Sequence, residues 1–435
     1  VNLVKTTFLS IIASGTKVIS ALALNKILAL YVGPAGYAMV GQLQNIITSV
    51  TALASAGVNT GIVKYTAEYT NDSEKRIRLW QTAGTIGFCG TVLVSTLLVI
   101  FSNKLSLIFF SSLIYGYIIR LTAICLFLYV LNTLLISILN GLGNIKEFTM
   151  VNIFNSIASL LLTAGFAYYW GLNGALISLA IGQSVVVFFT IILIRKKEWV
   201  QLSYLWGKVD NNIIKKLVLF TIATLVTSLL GPLVQSAIRG LIMSYHNMSV
   251  AGYWDAMTRI SNTYLMVITF PLNVYFVPKI SASVKDMEVR NIVWGTFKVL
   301  FPLTIFCCVA IFLCRDLIIK LLFTNDFLPM RSLFGWQLAG DIVRVCCWIC
   351  SYYFIAKAQI KIFIAAEIFI NVVYLTEVFL LKNLDVIFVP ISYFWANISY
   401  LILMVLIYFY KRQKFISLSH QNELTHEDII HHNNL

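Results

Sequence analysis

LNGALISLAIGQSVVVFFTIILIRKK, residues 172–197, decides the fold class. Leu172 to Ile194 contain no charge, and as a helix rising about 1.5 Å per residue they reach about 35 Å, enough to cross a hydrocarbon core of about 30 Å. Arg195, Lys196 and Lys197 end the run with positive charge. Working outward, similar apolar runs bounded by charge or by Gly, Pro and Asn occur at 6–32, 36–60, 79–101, 113–139, 147–169, 217–244, 250–277, 291–314, 332–356, 359–381 and 386–410. The pattern predicts an all-α polytopic membrane protein of twelve transmembrane helices. Composition agrees: 435 residues that are 59% hydrophobic and 11% charged, with a mean hydropathy of +0.85, exclude a water-soluble globule and a disordered chain.

The formal charge of +14 is explained by loop bias rather than by nucleic acid. An even number of spans puts both termini on one side. Loops on that side hold 20 Lys and Arg against 5 on the other, the five being Lys104, Arg315, Lys320, Arg331 and Lys382. The positive-inside rule therefore places both termini in the cytoplasm. Val1 to Ser10 runs into an apolar stretch without a small-residue cleavage site, as a first membrane helix does. The eight cysteines lie in or beside apolar runs and read as small hydrophobes. Cys346, Cys347 and Cys350 approach a metal spacing but have no His nearby, so packing is the better reading and no metal site is expected.

Residues 196–216 form the longest cytoplasmic interruption. They mix Trp199, Tyr204, Leu205 and Trp206 with basic residues, as an amphipathic linker on an anionic leaflet would. The linker separates residues 1–195 from 217–410, six spans each, with a polar tail at 411–435. Equal span counts point to parallel internal repeats. A short echo supports them: Ala35-Gly36-Tyr37 opens the second span and Ala251-Gly252-Tyr253 the eighth.

Ionisable residues within spans carry the functional signal, because each costs roughly 2.5 to 3.5 kcal/mol at a helix centre unless it faces protein or water. Seven are basic, Lys17, Lys26, Arg120, Arg239, Arg259, Lys298 and Arg344. Four are acidic, Asp255, Asp341, Glu367 and Glu377. Such an excess suits an anionic cargo. Lys26, Arg239, Arg259 and Arg344 are the candidate substrate contacts. Lys26 and Arg239 lie nearer the outer end, where they could also snorkel; Arg259 and Arg344 are near mid-span. Asp255 with Arg259, four apart, and Asp341 with Arg344, three apart, share helix faces and could form intrahelical pairs, which would either exchange partners with a phosphate or a proton during transport or only offset each other's burial. Asp255, Asp341 and Glu367 are the candidate ion-coupling or gating groups. Gly231-Pro232 and Pro271 could act as hinges or as static kinks. Trp170, Trp199 and Tyr410 suit interfacial belts.

No GxxxxGK[ST] run and no His cluster within a span is present, so transport is not driven directly by ATP and no cofactor is expected. A membrane polymerase would want a large outer loop, and these are short. A drug exporter would want a more acidic interior.

Asn25-Lys26-Ile27-Leu28-Ala29, Gly33-Pro34-Ala35-Gly36, Asn325-Asp326-Phe327, Met330 through Asp341 and Ile355-Ala356-Lys357-Ala358 together resemble the O-antigen and enterobacterial common antigen flippases. These form the polysaccharide-transport branch of the multidrug, oligosaccharidyl-lipid and polysaccharide exporter superfamily. The resemblance runs from about Lys5 to the twelfth span. It implies two six-helix lobes around a central cavity that opens to either side in turn. The implied cargo is an oligosaccharide repeat unit on undecaprenyl pyrophosphate, moved from the cytoplasmic to the periplasmic leaflet of a bacterial inner membrane. It implies a transporter rather than an enzyme, with membrane lipids, a polysaccharide polymerase and a chain-length regulator as partners. Arg344 stands where the common antigen subgroup has Lys, which keeps the charge and leaves the sugar open.

Overall fold

The structure, a computed structural model, describes residues 3–408 apart from 198, 208, 284–285, 358 and 383–386. The expected polar tail at 411–435 and the cations Lys208, Lys285, Lys411, Arg412 and Lys414 lie outside the described residues. In chain order the helices are α1 (Leu3–Ala54), α2 (Asn59–Glu68), α3 (Ser73–Ile100), α4 (Ser102–Phe110), α5 (Gly116–Gly141) and α6 (Ile145–Ile194). There follow α7 (Leu202–Leu205), α8 (Asn211–Tyr245) and α9 (Met248–Pro271), which runs through a π-helical turn (Leu272–Phe276) into α10 (Val277–Ala282). Then come α11 (Asp286–Leu313), α12 (Arg315–Leu322), a 3₁₀ segment (Asn325–Leu333), α13 (Phe334–Ala356) and α14 (Ile360–Leu381). The last helix, α15, is Phe388–Tyr408.

Two helices are too long for one crossing. α1 has 52 residues and α6 has 50, lengths of about 78 and 75 Å against a core of about 30 Å. Each is broken once, at Gly33 (φ 63°, ψ −176°) and Gly171 (φ 53°, ψ −131°), backbone conformations that a residue with a Cβ adopts only under strain. The breaks fall in the gaps that hydropathy leaves at 33–35 and 170–171. Nine helices among the described residues are long and apolar enough to cross a membrane by length and composition, so the chain is a multi-pass membrane protein. α9, which carries Asp255 and Arg259, is not among the nine. The span expected at 36–60 stops earlier, at Ala54, because Ala56 (φ 49°) and Gly57 (φ 62°) turn the chain before α2. α8 continues through Pro232, whereas Pro271 leads into the π turn.

The chain divides into two compact units that do not follow its halves. The first comprises residues 1–264, 311–334 and 378–389, so α8 and most of α9 join the first six spans. Val58, Ile62, Leu79, Trp80, Ala83, Leu134, Ile138 and Leu217 form one of its apolar cores, drawn from α2, α3, α5 and α8. The linker is folded onto α3. Trp199 meets Trp80 edge-on at 5.8 Å, the Gln81 amide donates to the Ser203 carbonyl at 2.7 Å, and Trp206 meets Phe88 at 4.4 Å. Trp199, expected at the membrane interface, is partly buried and packs against this core, where its indole covers apolar surface. Asp210 then starts α8 as its N-cap, accepting from the Asn212 backbone N–H at 2.8 Å.

The second unit comprises residues 265–310, 335–377 and the described part of 390–435. Its core of Cys347, Phe354, Ala366, Ile370, Ala396, Tyr400 and Met404 comes from α13, α14 and α15. Cys347 is fully buried there as a packing residue.

Candidate functional site

Unit 1 holds four of the predicted residues. In α8, Arg239 is 2% exposed; in α9, Asp255 is 5% exposed. The guanidinium donates through Nε to Asp255 Oδ2 at 2.8 Å and through Nη2 to Oδ1 at 2.7 Å, and its Nη1 donates to Gln42 Oε1 in α1. The Trp254 ring covers one face at 5.7 Å. Gly41 makes room for this pair: a Cβ there would fall on the Asp255 carboxylate.

This corrects the expected Asp255 to Arg259 pair. The two-pronged bond to Arg239 offers two parallel charge-assisted hydrogen bonds, which an i,i+4 neighbour on the same helix cannot match. Arg259 turns instead to α1, donating to Gln44 Oε1 at 2.6 Å and lying 4.8 Å from the centre of the Tyr37 ring. Tyr37 is held by its own hydroxyl, which donates to Asn25 Oδ1 at 2.8 Å. Asp255 being taken, Arg259 is a half-buried cation with neutral neighbours and no carboxylate partner among the described residues.

Lys26 is also half-buried, and its Nζ donates to the backbone carbonyls of Lys320, at 3.0 Å, and Phe323. The two echoed motifs meet in the same region. Tyr37 and Tyr253 both pack on Phe327, at 5.6 and 6.1 Å, and a Cβ on Gly252 would strike the Pro34 carbonyl.

Unit 2 holds the others. Arg344 does not pair with Asp341. Its Nη2 stands 3.9 Å from Glu367 Oε2, between the rings of Trp348 at 5.5 Å and Tyr400 at 5.7 Å. The Tyr400 hydroxyl donates to Glu367 Oε1 at 3.1 Å and shares a 2.7 Å hydrogen bond with Ser351. Asp341 is fully buried one turn from Gln337, whose amide donates to it at 3.4 Å, and the Tyr393 hydroxyl hydrogen-bonds it as well. The expected i,i+3 pair is displaced because α14 and α15 supply partners that face each group directly. Glu377 Oε2 is buried without a hydrogen-bond partner among the described residues.

Lys17, Arg120 and Lys298 are exposed. Of the ions in the expected spans, the buried and half-buried ones are therefore Lys26, Arg239, Arg259 and Arg344 against Asp255, Asp341, Glu367 and Glu377, and the expected cationic excess among the in-span groups resides in the exposed three. Among the described residues, no group of three or more His, Cys, Asp or Glu is placed to hold a metal ion. Attention to charge alone passes over Asn25, Tyr37, Gln42, Gln44, Ser351 and Tyr400. The findable signal was the run of amides Gln42, Gln44 and Asn45 in a span without charge, since an amide in hydrocarbon needs a partner.

A family model described as "Polysaccharide biosynthesis protein" matches residues 3–284. The Lipid III flippases of Escherichia coli (strain K12) and Shigella flexneri are each 29% identical over 357 residues, covering 81% of this chain and 85% of the relative. Among solved structures, an inward-facing multidrug resistance MATE family transporter of the MOP superfamily aligns with a TM-score of 0.74 at 14% identity, over 90% of this chain and 94% of the other. The lipid II flippase MurJ, in an inward closed conformation, aligns with a TM-score of 0.70 at 13% identity, over 93% of this chain and 87% of the other. These structural likenesses establish the fold, and the named relatives are flippases and transporters rather than enzymes.

Proposed function

Because the chain belongs to the polysaccharide biosynthesis protein family, we propose that it is a flippase carrying an oligosaccharide on undecaprenyl pyrophosphate, of the O-antigen repeat type, from the cytoplasmic to the periplasmic leaflet of a bacterial inner membrane. The similarity to the two Lipid III flippases supports a lipid-linked oligosaccharide as the cargo class. Twelve crossings follow if the glycine breaks make two each of α1 and α6 and if α9 crosses despite its charges. With twelve, the loop charges place both termini in the cytoplasm.

The observation that carries the reading is the state of Arg259. A guanidinium near the middle of a membrane helix, with Asp255 occupied by Arg239, has an amide and an aromatic ring for company. Its positive charge is uncompensated locally, and a phosphate can bind it through two parallel hydrogen bonds in surroundings of low dielectric. In unit 2, Glu367 is the coupling group. Protonation there would release Arg344, making a second guanidinium available and linking anion capture to proton entry. Asp341, already bonded to Gln337 and Tyr393, holds α13 in register for that exchange.

The test is complementation of a flippase-deficient strain at matched expression, with flipping of the lipid-linked cargo in proteoliposomes. Arg259→Ala is expected to lower flipping at least about a hundredfold, the loss of a charged, two-pronged contact, and Arg259→Lys to restore part of it. Wild-type flipping by Arg259→Ala would remove the phosphate assignment. Export of cationic dyes by the wild-type protein, without flipping, would favour a drug exporter on the same scaffold.

A further inference from the structure

Two stretches of unit 1, residues 311–334 and 378–389, continue at both ends by peptide bonds into helices of unit 2. The first is a folded hairpin. The α12 helix and the 3₁₀ segment are clasped by Arg331 and Asp316 at 3.1 Å, and Phe327, Met330 and Leu333 are fully buried. Leu317 and Leu321 on the other side of α12 are 65% and 67% exposed.

The hairpin's seat is small and specific. Phe323 and Phe327, 5.1 Å apart, lie against Tyr37 at 5.8 and 5.6 Å, and Tyr253 closes on Phe327 at 6.1 Å. Lys26 completes it by donating to the Lys320 and Phe323 carbonyls. These lie at the C-terminal end of α12, where carbonyls lack intrahelical donors and the helix dipole is negative, so an ammonium satisfies both needs.

We propose that the hairpin 315–333 is a latch and Lys26 its catch. The hairpin is held to α1 and α9 by one ammonium and four rings, with no covalent continuity at the seat. A phosphate oxygen is a stronger acceptor for that ammonium than a neutral carbonyl. Arrival of an anionic cargo group near Lys26 therefore competes with the hairpin for it and loosens the seat. Since the hairpin's ends run directly into α11 and α13, its release is passed to unit 2 through the backbone. Lys26 thus acts as a fastening in the absence of cargo, and its transfer to the cargo anion is what opens the latch. The role in the cycle rests on the flippase reading; the fastening itself does not.

Hydrogen exchange on the full chain in nanodiscs, without cargo, tests the fastening. Lys26→Met should raise exchange at the 315–333 amides about tenfold or more, the effect of losing charged hydrogen bonds, and leave α3 unchanged. Lys26→Arg should restore protection. A residue that only bound cargo would leave this apo measurement unmoved, and unchanged exchange in Lys26→Met would overturn the latch. For the cycle, Tyr253→Cys with Phe327→Cys is bridged by a cleavable thiol reagent after replacement of the eight native cysteines. Flipping should fall at least tenfold when bridged and recover on cleavage; unaltered flipping in the bridged protein would also overturn the latch. Absence of flipping in the unbridged parent and in wild type would instead sink the flippase reading, with the exchange result still deciding the fastening.

Discussion

The Arg239–Asp255 pair of unit 1 closes at 2.7 and 2.8 Å with side chains only 2% and 7% exposed, whereas the Arg344–Glu367 pair of unit 2 stands at 3.9 Å with 18% and 17% exposed. Both are ion pairs between long helices, yet their surroundings differ. The first has every prong of the carboxylate filled and an amide, Gln42, on the remaining side. The second leaves Arg344 held mainly by two ring faces, and Glu367 shared with a hydroxyl that itself leads to Ser351. A tight pair of this kind is costly to break and poor at exchanging partners; a loose one with a hydroxyl relay is the reverse. The tight pair therefore belongs to the architecture of unit 1, and its chief functional effect is indirect, since it takes Asp255 away from Arg259.

That contrast orders the expected effects. Asp255→Ala should be the most damaging, costing about 3 to 5 kcal/mol by leaving a buried guanidinium unpaired, read as a fall in thermal midpoint and in accumulated protein. The double variant Arg239→Met with Asp255→Leu should recover most of that stability, because matched apolar groups can replace a buried pair. If the double variant is no better than the single, the pair is not an isolated structural element. Gly41→Ala comes next, at about 1 to 3 kcal/mol, because its Cβ would overlap the Asp255 carboxylate and force α1 from α9. Glu367→Gln should cost only about 1 kcal/mol, since its charge partner is distant and its hydrogen bond to Tyr400 can be kept. Its signature is functional: flipping that no longer varies with the proton gradient. Retained gradient dependence would separate Glu367 from coupling and erase the functional half of the comparison.

Much of the fold was legible in the sequence because hydrocarbon thickness imposes a length on each apolar run. Gly33 and Gly171 break their helices in the gaps hydropathy had marked. The grouping of helices was not legible: α8 and most of α9 join the first unit through interhelical contacts that no periodicity records. At the site, the ionisable residues were easy to find, being anomalous in apolar runs, but their partners were not. Spacing along one helix favoured Asp255 with Arg259, and only three-dimensional packing could show that Arg239, sixteen residues earlier, reaches the carboxylate first. Sequence singled out four of the seven in-span cations, Lys26, Arg239, Arg259 and Arg344, and exposure splits the seven, these four being buried or half-buried and Lys17, Arg120 and Lys298 exposed.

That split gives the smallest expected effect and a demanding one. Lys17, Arg120 and Lys298 are exposed, and Arg120 reaches only the Ser102 hydroxyl, at 3.4 Å. A long flexible side chain on an exposed helix face can carry its charge along the helix toward headgroups, keeping its stem on apolar surface. Replacing each by Gln should therefore shift stability by no more than about 0.5 kcal/mol and leave flipping within about twofold of wild type. The measurement is the proteoliposome assay beside Arg259→Ala, so that a null result is judged against a known loss. A strong defect in Lys17→Gln would mean that the anion is met by exposed ammonium groups, and the distinction between engaged and available cations would have to be redrawn around α1 rather than around Arg259.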